Sequence, residues 1–558
     1  MSSIANVLPR ADPDNQFVKD ESLVHQLPDE ILSDIFFLAM YSLDITHPSQ
    51  FPSLYTTRTI YRRLYNFLGV CTWWRRVILS SGSLWTLIPL IEPSSGGWVP
   101  RTTQLSLERA AGHRLRLVAH FSNPQDFIFG ILSRHASQFD AINIRSNSAD
   151  SICNLLAPLI KNAESGSASI KELSLCHSES LGDEISRPPA GVGQHVNFHA
   201  SPPLPLGVNG LIESLYALRI SGMNVNFEGL SLKTLTNIRL DSLVLGPKLS
   251  LVKFTEALAS ATQLRTLELI SVLTIHSGWE NISIGDVSIS LPNLEHLYLD
   301  DLNLDTLKFI LATISSGSHT TTLNWTHRCC ETAADGSYTS TNIVFLRKLS
   351  RFNIDVLLFR RQPGEISFHK YIYYVLQAMP SVTTLCLDLV YLNYEVLDAL
   401  VPVTRNITEK GLHTSAEDYK KQNDDPPGFA QLTNLYICRS HCHDLDALRD
   451  LPQVLASHRI QELGIGIGPE CDCKEHHARA YPNRPPSSRE GRAYRSLVYR
   501  SPPPEFQSPP TYDQETIDSE MKHIWDALEN SIPRLVRFPG NSSDMPPVFG
   551  FASHIWQL

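Results

Sequence analysis

The sequence predicts an α/β protein. A small helical module stands in front, and a curved solenoid of strand–helix repeats with one parallel sheet follows. Three observations predict this. Apolar residues recur at helical spacing between residues 27 and 90. Behind them an apolar-x-x-apolar-x-apolar pattern returns many times at similar intervals. Helical patterns fill the gaps between copies, so successive strands point the same way.

The front module opens with Leu27-Pro28-Asp29-Glu30-Ile31-Leu32 and runs on to Ile35-Phe36. Pro28 suits the first position of a helix, where its missing N–H has no partner to lose. Asp29 and Glu30 fall in the first turn, where the positive end of the helix dipole favours acids. Ile31, Leu32, Ile35, Phe36 and Ala39 then keep helical spacing. Ile60, Leu64, Phe67 and Leu68 mark a second helix. Val70, Trp74, Val77 and Ile78 mark a third, with Gly69 as the expected break. The module closes at Leu84-Trp85.

This pattern resembles the F-box, a three-helix module that docks onto the Skp adaptor of cullin-based ubiquitin ligases. The resemblance covers roughly residues 25–90. It rests on Leu27, Pro28, Glu30, Ile31, Leu32 and Ile35 in the first helix. Val70, Cys71, Trp74, Arg75, Val77, Leu84 and Trp85 match the later half. The resemblance implies that these residues bind the adaptor. One departure is a longer connection, from Tyr41 to Thr59, which carries Pro48 and Pro52 and reads as an inserted loop. Loop insertions cost little closure entropy, so the fold tolerates it. Lying over the adaptor face, it would hinder docking. The alternative reading is a bundle whose apolar residues form only its own core. A bundle this small is marginal alone, and its surplus of apolar side chains suits a partner surface.

At 558 residues the chain holds several domains or one long repeat array. It carries a net charge of -10 and no long basic run, so nucleic acid is not an expected partner. Residues 1–21 are polar and lack the apolar core of a secretory signal. No stretch of about 18 apolar residues predicts a membrane span. The 10 cysteines follow no framework of spacings and are expected as free thiols in the cytoplasm or nucleus. The Asn-x-Ser/Thr matches at Asn281, Asn324, Asn406 and Asn541 then count as chance.

The repeat pattern begins after the turn cluster Pro93-Ser94-Ser95-Gly96-Gly97. Its clear copies are Phe139/Ile142/Ile144, Ile170/Leu173/Leu175, Leu215/Leu218/Ile220, Leu235/Ile238/Leu240 and Leu264/Leu267/Leu269. Leu294/Leu297/Leu299, Ile354/Leu357/Phe359, Val382/Leu385/Leu387, Leu432/Leu435/Ile437 and Ile460/Leu463/Ile465 complete them. Leu115/Leu117 and Leu323/Trp325 are partial copies. Several neighbours lie 27 to 31 residues apart. The last two apolar residues of each copy alternate, as in a short strand with one face inward. Leu251/Phe254/Leu258/Ala261, Leu307/Ile310/Leu311/Ile314 and Leu445/Leu448/Leu451/Leu455 are helical patterns between strands. Stacked units bury each other's apolar faces, which no single unit can do.

The array resembles degenerate leucine-rich repeats. The family's Asn or Cys, three positions past the last strand leucine, is replaced by Leu243, Val272, Leu302 and Val390, so no asparagine ladder ties the turns. Two long intervals, Leu175 to Ile220 and Leu387 to Ile437, read as loop insertions. The expected divisions are a flexible N-terminus at 1–22, the F-box-like module at 23–92 and the repeats at 100–477. A Pro/Ser/Arg-rich loop follows at 478–514, and a capping helix with its tail at 515–558.

Phosphate loops, dinucleotide glycines, His-Glu-x-x-His and Gly-x-Ser-x-Gly are absent. No catalytic residue, cofactor or metal is therefore expected. Cys438, His441, Cys442 and His443 form one Cys/His cluster, and Cys471, Cys473, His476 and His477 another. Their spacing fits no zinc motif, and surface thiols and imidazoles are the favoured reading. Arg239, Glu268, His296 and Tyr298 alternate with the inward leucines, as contact residues on the concave wall or as a plain solvated face.

The resemblance implies a non-enzymatic, substrate-recognition subunit of a Skp–cullin–F-box ubiquitin ligase. The front helices would hold the adaptor and, through it, the cullin scaffold. The repeats would hold a target protein. The alternative is a leucine-rich-repeat binding scaffold that never enters a ligase.

Overall fold

The computed structural model describes residues 27–41, 54–92, 100–122, 126–165, 170–177, 207–245, 248–274, 288–315, 317–330, 352–360, 368–402, 429–442, 451–468 and 532–537, with a few single positions besides. The expected N-terminal segment, the Pro/Ser/Arg-rich loop and most of the capping helix lie outside them. The chain divides into two compact units. One comprises Met1–Pro89 with Val99–Leu115; the other comprises Leu90–Trp98 with Arg116–Leu558.

The first unit holds α1 (Asp29–Tyr41), α2 (Leu54–Val70), α3 (Thr72–Ser80) and α4 (Pro100–Arg109). Pro28 stands one residue ahead of α1, and its carbonyl accepts the first helical bond, from Leu32 N–H. Gly69 is not the break between the second and third helices. α2 runs through it to Val70, because a solvent-facing glycine weakens a helix without ending it. Cys71 makes the break. Its backbone is extended, and its Sγ accepts from Trp74 N–H as an N-cap. The last residues of the expected loop, 54–59, are the first turns of α2, and 42–53 lie outside the described residues.

The core of this unit is aromatic. Phe36 stacks on Phe67 with centroids 5.2 Å apart and meets the edge of Trp74 at 4.8 Å. Trp85 is fully buried, and its indole N–H donates to Ile78 O at 2.8 Å. Tyr61 is buried with its hydroxyl between Leu87 O and Ser106 Oγ, and burial raises its pKa.

The second unit is a parallel array. Its strands are β2 (Leu115–Phe121), β3 (Phe139–Ser146), β4 (Glu172–His177), β5 (Ala217–Ser221), β6 (Asn237–Asp241) and β7 (Thr266–Ile270). They continue as β8 (His296–Asp300), β9 (Thr320–Trp325), β10 (Val356–Arg360) and β11 (Thr384–Asp388). The last are β12 (Tyr391–Leu392), β13 (Asn434–Cys442), β14 (Glu462–Gly468) and β15 (Arg534–Arg537); β1 (Leu87–Ile91) precedes them all. Strand order follows the sequence, apart from β12, which pairs beside β13 while β11 pairs with β13 directly. The pairings from β3 to β15 are parallel.

The last two apolar residues of every predicted copy fall on a strand, so the chain is an α/β protein built of consecutive leucine-rich-repeat-like strand–helix units. Ile142, Leu173, Leu218, Ile238, Leu267 and Leu297 form one continuous cross-strand row. At β9 the row steps by two residues. Leu323 faces Leu299 on one side and Leu357 on the other. An even step keeps every side chain on its own face, so the core continues through it.

The connecting helices are α5 (Asp126–His135), α6 (Ala149–Glu164), α7 (Val208–Ile212), α8 (Lys248–Ala259), α9 (Leu304–Thr313), α10 (Phe368–Ala378), α11 (Tyr394–Leu400) and α12 (Leu451–Ala456). Their entries are capped. Ser148, Asn303 and Asn393 each accept from a backbone N–H in the first turn of α6, α9 and α11. Neighbouring helices touch side by side, α5 on α6, α6 on α7, α10 on α11 and α11 on α12.

The turns replace the missing asparagine ladder with backbone. Gly222, Ser242, Ser271, Asp301, Leu389 and Arg439 all have positive φ, two residues past the last inward apolar residue. The N–H groups of Gly222, Ser242, Ser271 and Leu389 donate to Asp241, Ile270, Asp300 and Cys438 carbonyls of the next strand, at 2.8 to 3.0 Å. The residue after five of the six, namely Met223, Leu243, Val272, Leu302 or Val390, is apolar and drops into the core; after Arg439 it is the buried Ser440. A left-handed turn thus satisfies the backbone and leaves the family's Asn position free to be apolar.

Candidate functional site

The features that set the front helices apart lie on α1. Its residues are apolar on nearly every side. Leu32, Phe36 and Met40, spaced by four, are buried and build the core. Ile31, Ile35 and Leu38 share the opposite stripe with Asp34 and stand 47%, 44% and 62% exposed. Phe37 is exposed beside them. On α2, Tyr65 and Val70 are exposed, with Val70 one turn past the buried-side Phe67. Among the described residues, six of the eight exposed large apolar side chains belong to these two helices. A helix that is apolar all round is usually buried all round.

Polar contacts tie the helices together around the patch. Asp29 at the head of α1 accepts from Trp73 Nε1 at 3.1 Å and faces Arg76 at 3.6 Å, which ties α3 to α1. Arg63 Nη1 donates to Met40 O at 3.0 Å, placing a cation at the negative end of α1. Arg75 Nε donates to Leu68 O at 3.0 Å, closing the end of α2. No acid occurs between Asp44 and Glu92, so the exposed Arg58, Arg62, Arg75 and Arg76 make α2 and α3 basic, while Glu30 and Asp34 make α1 acidic.

The thirteen residues singled out in the sequence divide by position. Pro28, Glu30, Ile31, Ile35, Val70 and Arg75 are exposed, and Leu27, Cys71 and Trp74 are half-buried. Leu32, Val77, Leu84 and Trp85 are buried in the unit itself, so they support the surface rather than form it. Phe37, Leu38 and Tyr65 were missed. Their only signal was to be apolar off the buried stripe.

The second unit offers less open surface than its strand pattern implies. Arg239, Glu268, His296 and Tyr298 are not exposed. Arg239 lies 3.6 Å from Glu268 and 3.7 Å from Asp241, with side chains 12%, 17% and 6% exposed. His296 is half-buried, and Tyr298 is buried and donates to Asp300. The face opposite the leucines is charged from β4 to β7. There burial pushes the Glu172 carboxyl up and the Arg219 guanidinium down, each opposed by charges on neighbouring strands. From β7 to β13 the same face also holds a buried apolar cluster, Ile270, Tyr298, Val356, Leu358, Cys386, Tyr436 and Cys438, with acids, arginines and Asn324 along its edge.

Cys438 is therefore not a surface thiol. It is buried, 4.0 Å from Cys386 Sγ. Among the described residues no three potential ligands gather to hold a metal ion. Cys471, Cys473, His476, His477 and His443 lie outside the described residues, as do the His441 and Cys442 side chains. No helix among the described residues is long and apolar enough to cross a membrane. No family model matches the chain, and no curated protein matches it.

Proposed function

We propose that this chain is the substrate-recognition subunit of a Skp–cullin–F-box type ubiquitin ligase. α1 to α3 dock the adaptor, which brings the cullin scaffold. The repeat array holds a target protein. The mechanism is proximity: tethering a target beside the charged conjugating enzyme raises the local concentration of its lysines. The chain itself needs no catalytic residue.

One observation carries the reading. α1 has a complete buried stripe and a second apolar stripe in solvent, and a monomer has no use for the second. Among the residues that carry the F-box resemblance, Leu32, Val77, Leu84 and Trp85 are buried in the unit and Ile31, Ile35 and Val70 are exposed on it.

The test is the affinity of the full chain for a purified Skp-type adaptor, against a variant carrying Ile35→Asp and Leu38→Asp. Both positions are solvent-facing, so the variant is expected to fold and to lose binding at least tenfold. Undiminished binding by the variant would overturn the docking surface. No binding by the unaltered chain would leave a repeat scaffold outside the ligase.

A further inference from the structure

Three acids close strands of the array just before a left-handed turn residue: Asp241 on β6, Asp300 on β8 and Asp388 on β11. All three are buried. Two have a guanidinium at hand. Asp241 lies 3.7 Å from Arg239 and accepts from Ser242 Oγ at 2.7 Å. Asp388 takes both Nε, at 2.8 Å, and Nη2 of Arg439, and Arg360 stands 3.7 Å away.

Asp300 differs. Among the described residues its side chain contacts only neutral groups. Asn324 approaches Oδ1 at 2.6 Å, and Tyr298 OH donates to Oδ2 at 3.2 Å. The charged groups around it are committed elsewhere. From its own turn, Asp301 takes Arg328, the cation following β9, at 2.8 Å. Arg360 of β10 pairs with Asp388 of β11, which Arg439 of β13 also holds; Arg239 of β6 pairs with Asp241 and with Glu268 of β7.

Asn324 Oδ1 has no hydrogen-bond partner among the described residues. Turning the amide over brings Oδ1 to Asp300, where it can accept only if Asp300 carries a proton.

We propose that Asp300 is a carboxylic acid that holds its proton in the folded array and donates it to Asn324, making the stability of the array depend on pH. Burial, then the neighbouring Asp301, pushes the carboxyl up to about 7; Asn324, Tyr298 and Arg360 pull against them. The folded value lies above the unfolded one, so the native state binds the extra proton. Stability from this site is complete below the unfolded carboxylate range and declines as pH rises to the folded value. Above it, an ionised Asp300 stands buried beside Asp301 without a cation of its own.

The experiment compares urea unfolding of the full chain with that of Asp300→Asn across pH. Between about pH 5 and about pH 8.5 the unfolding constant of the unaltered chain should rise on the order of a hundredfold more than that of the variant. Parallel pH profiles would overturn the proposal. Infrared difference spectra of the unaltered chain give a second reading should the variant fail to fold. A carboxylic C=O band lost between about pH 6 and about pH 8.5, and kept when the other carboxyl pushed up by burial is removed by Glu172→Gln, supports the proton on Asp300; no such band overturns it.

Discussion

Gly222 carries a prediction that separates conformation from close approach. It has φ +68, and a Cβ built on it would lie 2.3 Å from His177 O and 3.3 Å from His177 C. Gly229 has nearly the same φ, +67, and nothing within 4 Å of the same position. Gly229→Ala therefore meets only the left-handed penalty, about 1–2 kcal/mol, less about 0.4–1 kcal/mol from a stiffer unfolded chain. Gly222→Ala meets that penalty and must also move the β4 end away. The Gly222 N–H bond to Asp241 O at 2.9 Å and the His177 Nδ1 contact with Gly222 O at 3.2 Å are then strained, each worth about 0.5–1.5 kcal/mol. The sum is about 2–4 kcal/mol for Gly222→Ala against about 1 kcal/mol or less for Gly229→Ala. Urea midpoints of the two variants measure the difference. Equal shifts would refute the close approach of turn and neighbouring strand on which the backbone ladder depends.

Trp85→Ala should cost about 3–5 kcal/mol and unfold the helical unit, whereas Leu38→Ala should change stability by less than about 0.5 kcal/mol; near-ultraviolet circular dichroism with urea titration compares them. His458 is buried, donates from Nε2 to Leu400 O at 2.7 Å and accepts Leu432 N–H at Nδ1, and burial lowers its pKa. Its folded value lies below the unfolded one, so its contribution is complete above the ordinary histidine range and is lost as pH falls through the folded value. His458→Gln should remove that part of the acid-side slope, at most about 1.4 kcal/mol per pH unit; identical slopes would rule the residue out as its source.

The strands were legible because the signal is local. An alternating pair such as Leu297/Leu299 states its own face, and a repeated period states that the faces stack. β15 was not legible, since Leu535 is its only large inward residue flanked by arginines. The left-handed turns were hidden because Ser242, Ser271, Asp301, Leu389 and Arg439 stand where glycine would have announced them. The buried second face was written in the chain and misread. Val356-Leu357-Leu358-Phe359 and Leu385-Cys386-Leu387 are continuous apolar runs, which mark strands covered on both sides rather than a solvated wall.

The front module shows the opposite balance. Its helices and aromatic core follow from spacing. Which residues face solvent does not, because α1 is apolar around most of its circumference and periodicity alone cannot choose a side. Packing chose it: Phe36 entered between Phe67 and Trp74, and Ile31, Ile35 and Leu38 were left outside.

Amide hydrogen exchange of the full chain, with and without a Skp-type adaptor, tests the division of labour most directly. The account predicts that the adaptor protects α1 and the end of α2 around Ile31, Ile35, Leu38 and Val70, and leaves β3 to β14 exchanging as before. Protection appearing in those strands while the helices stay unchanged would contradict it.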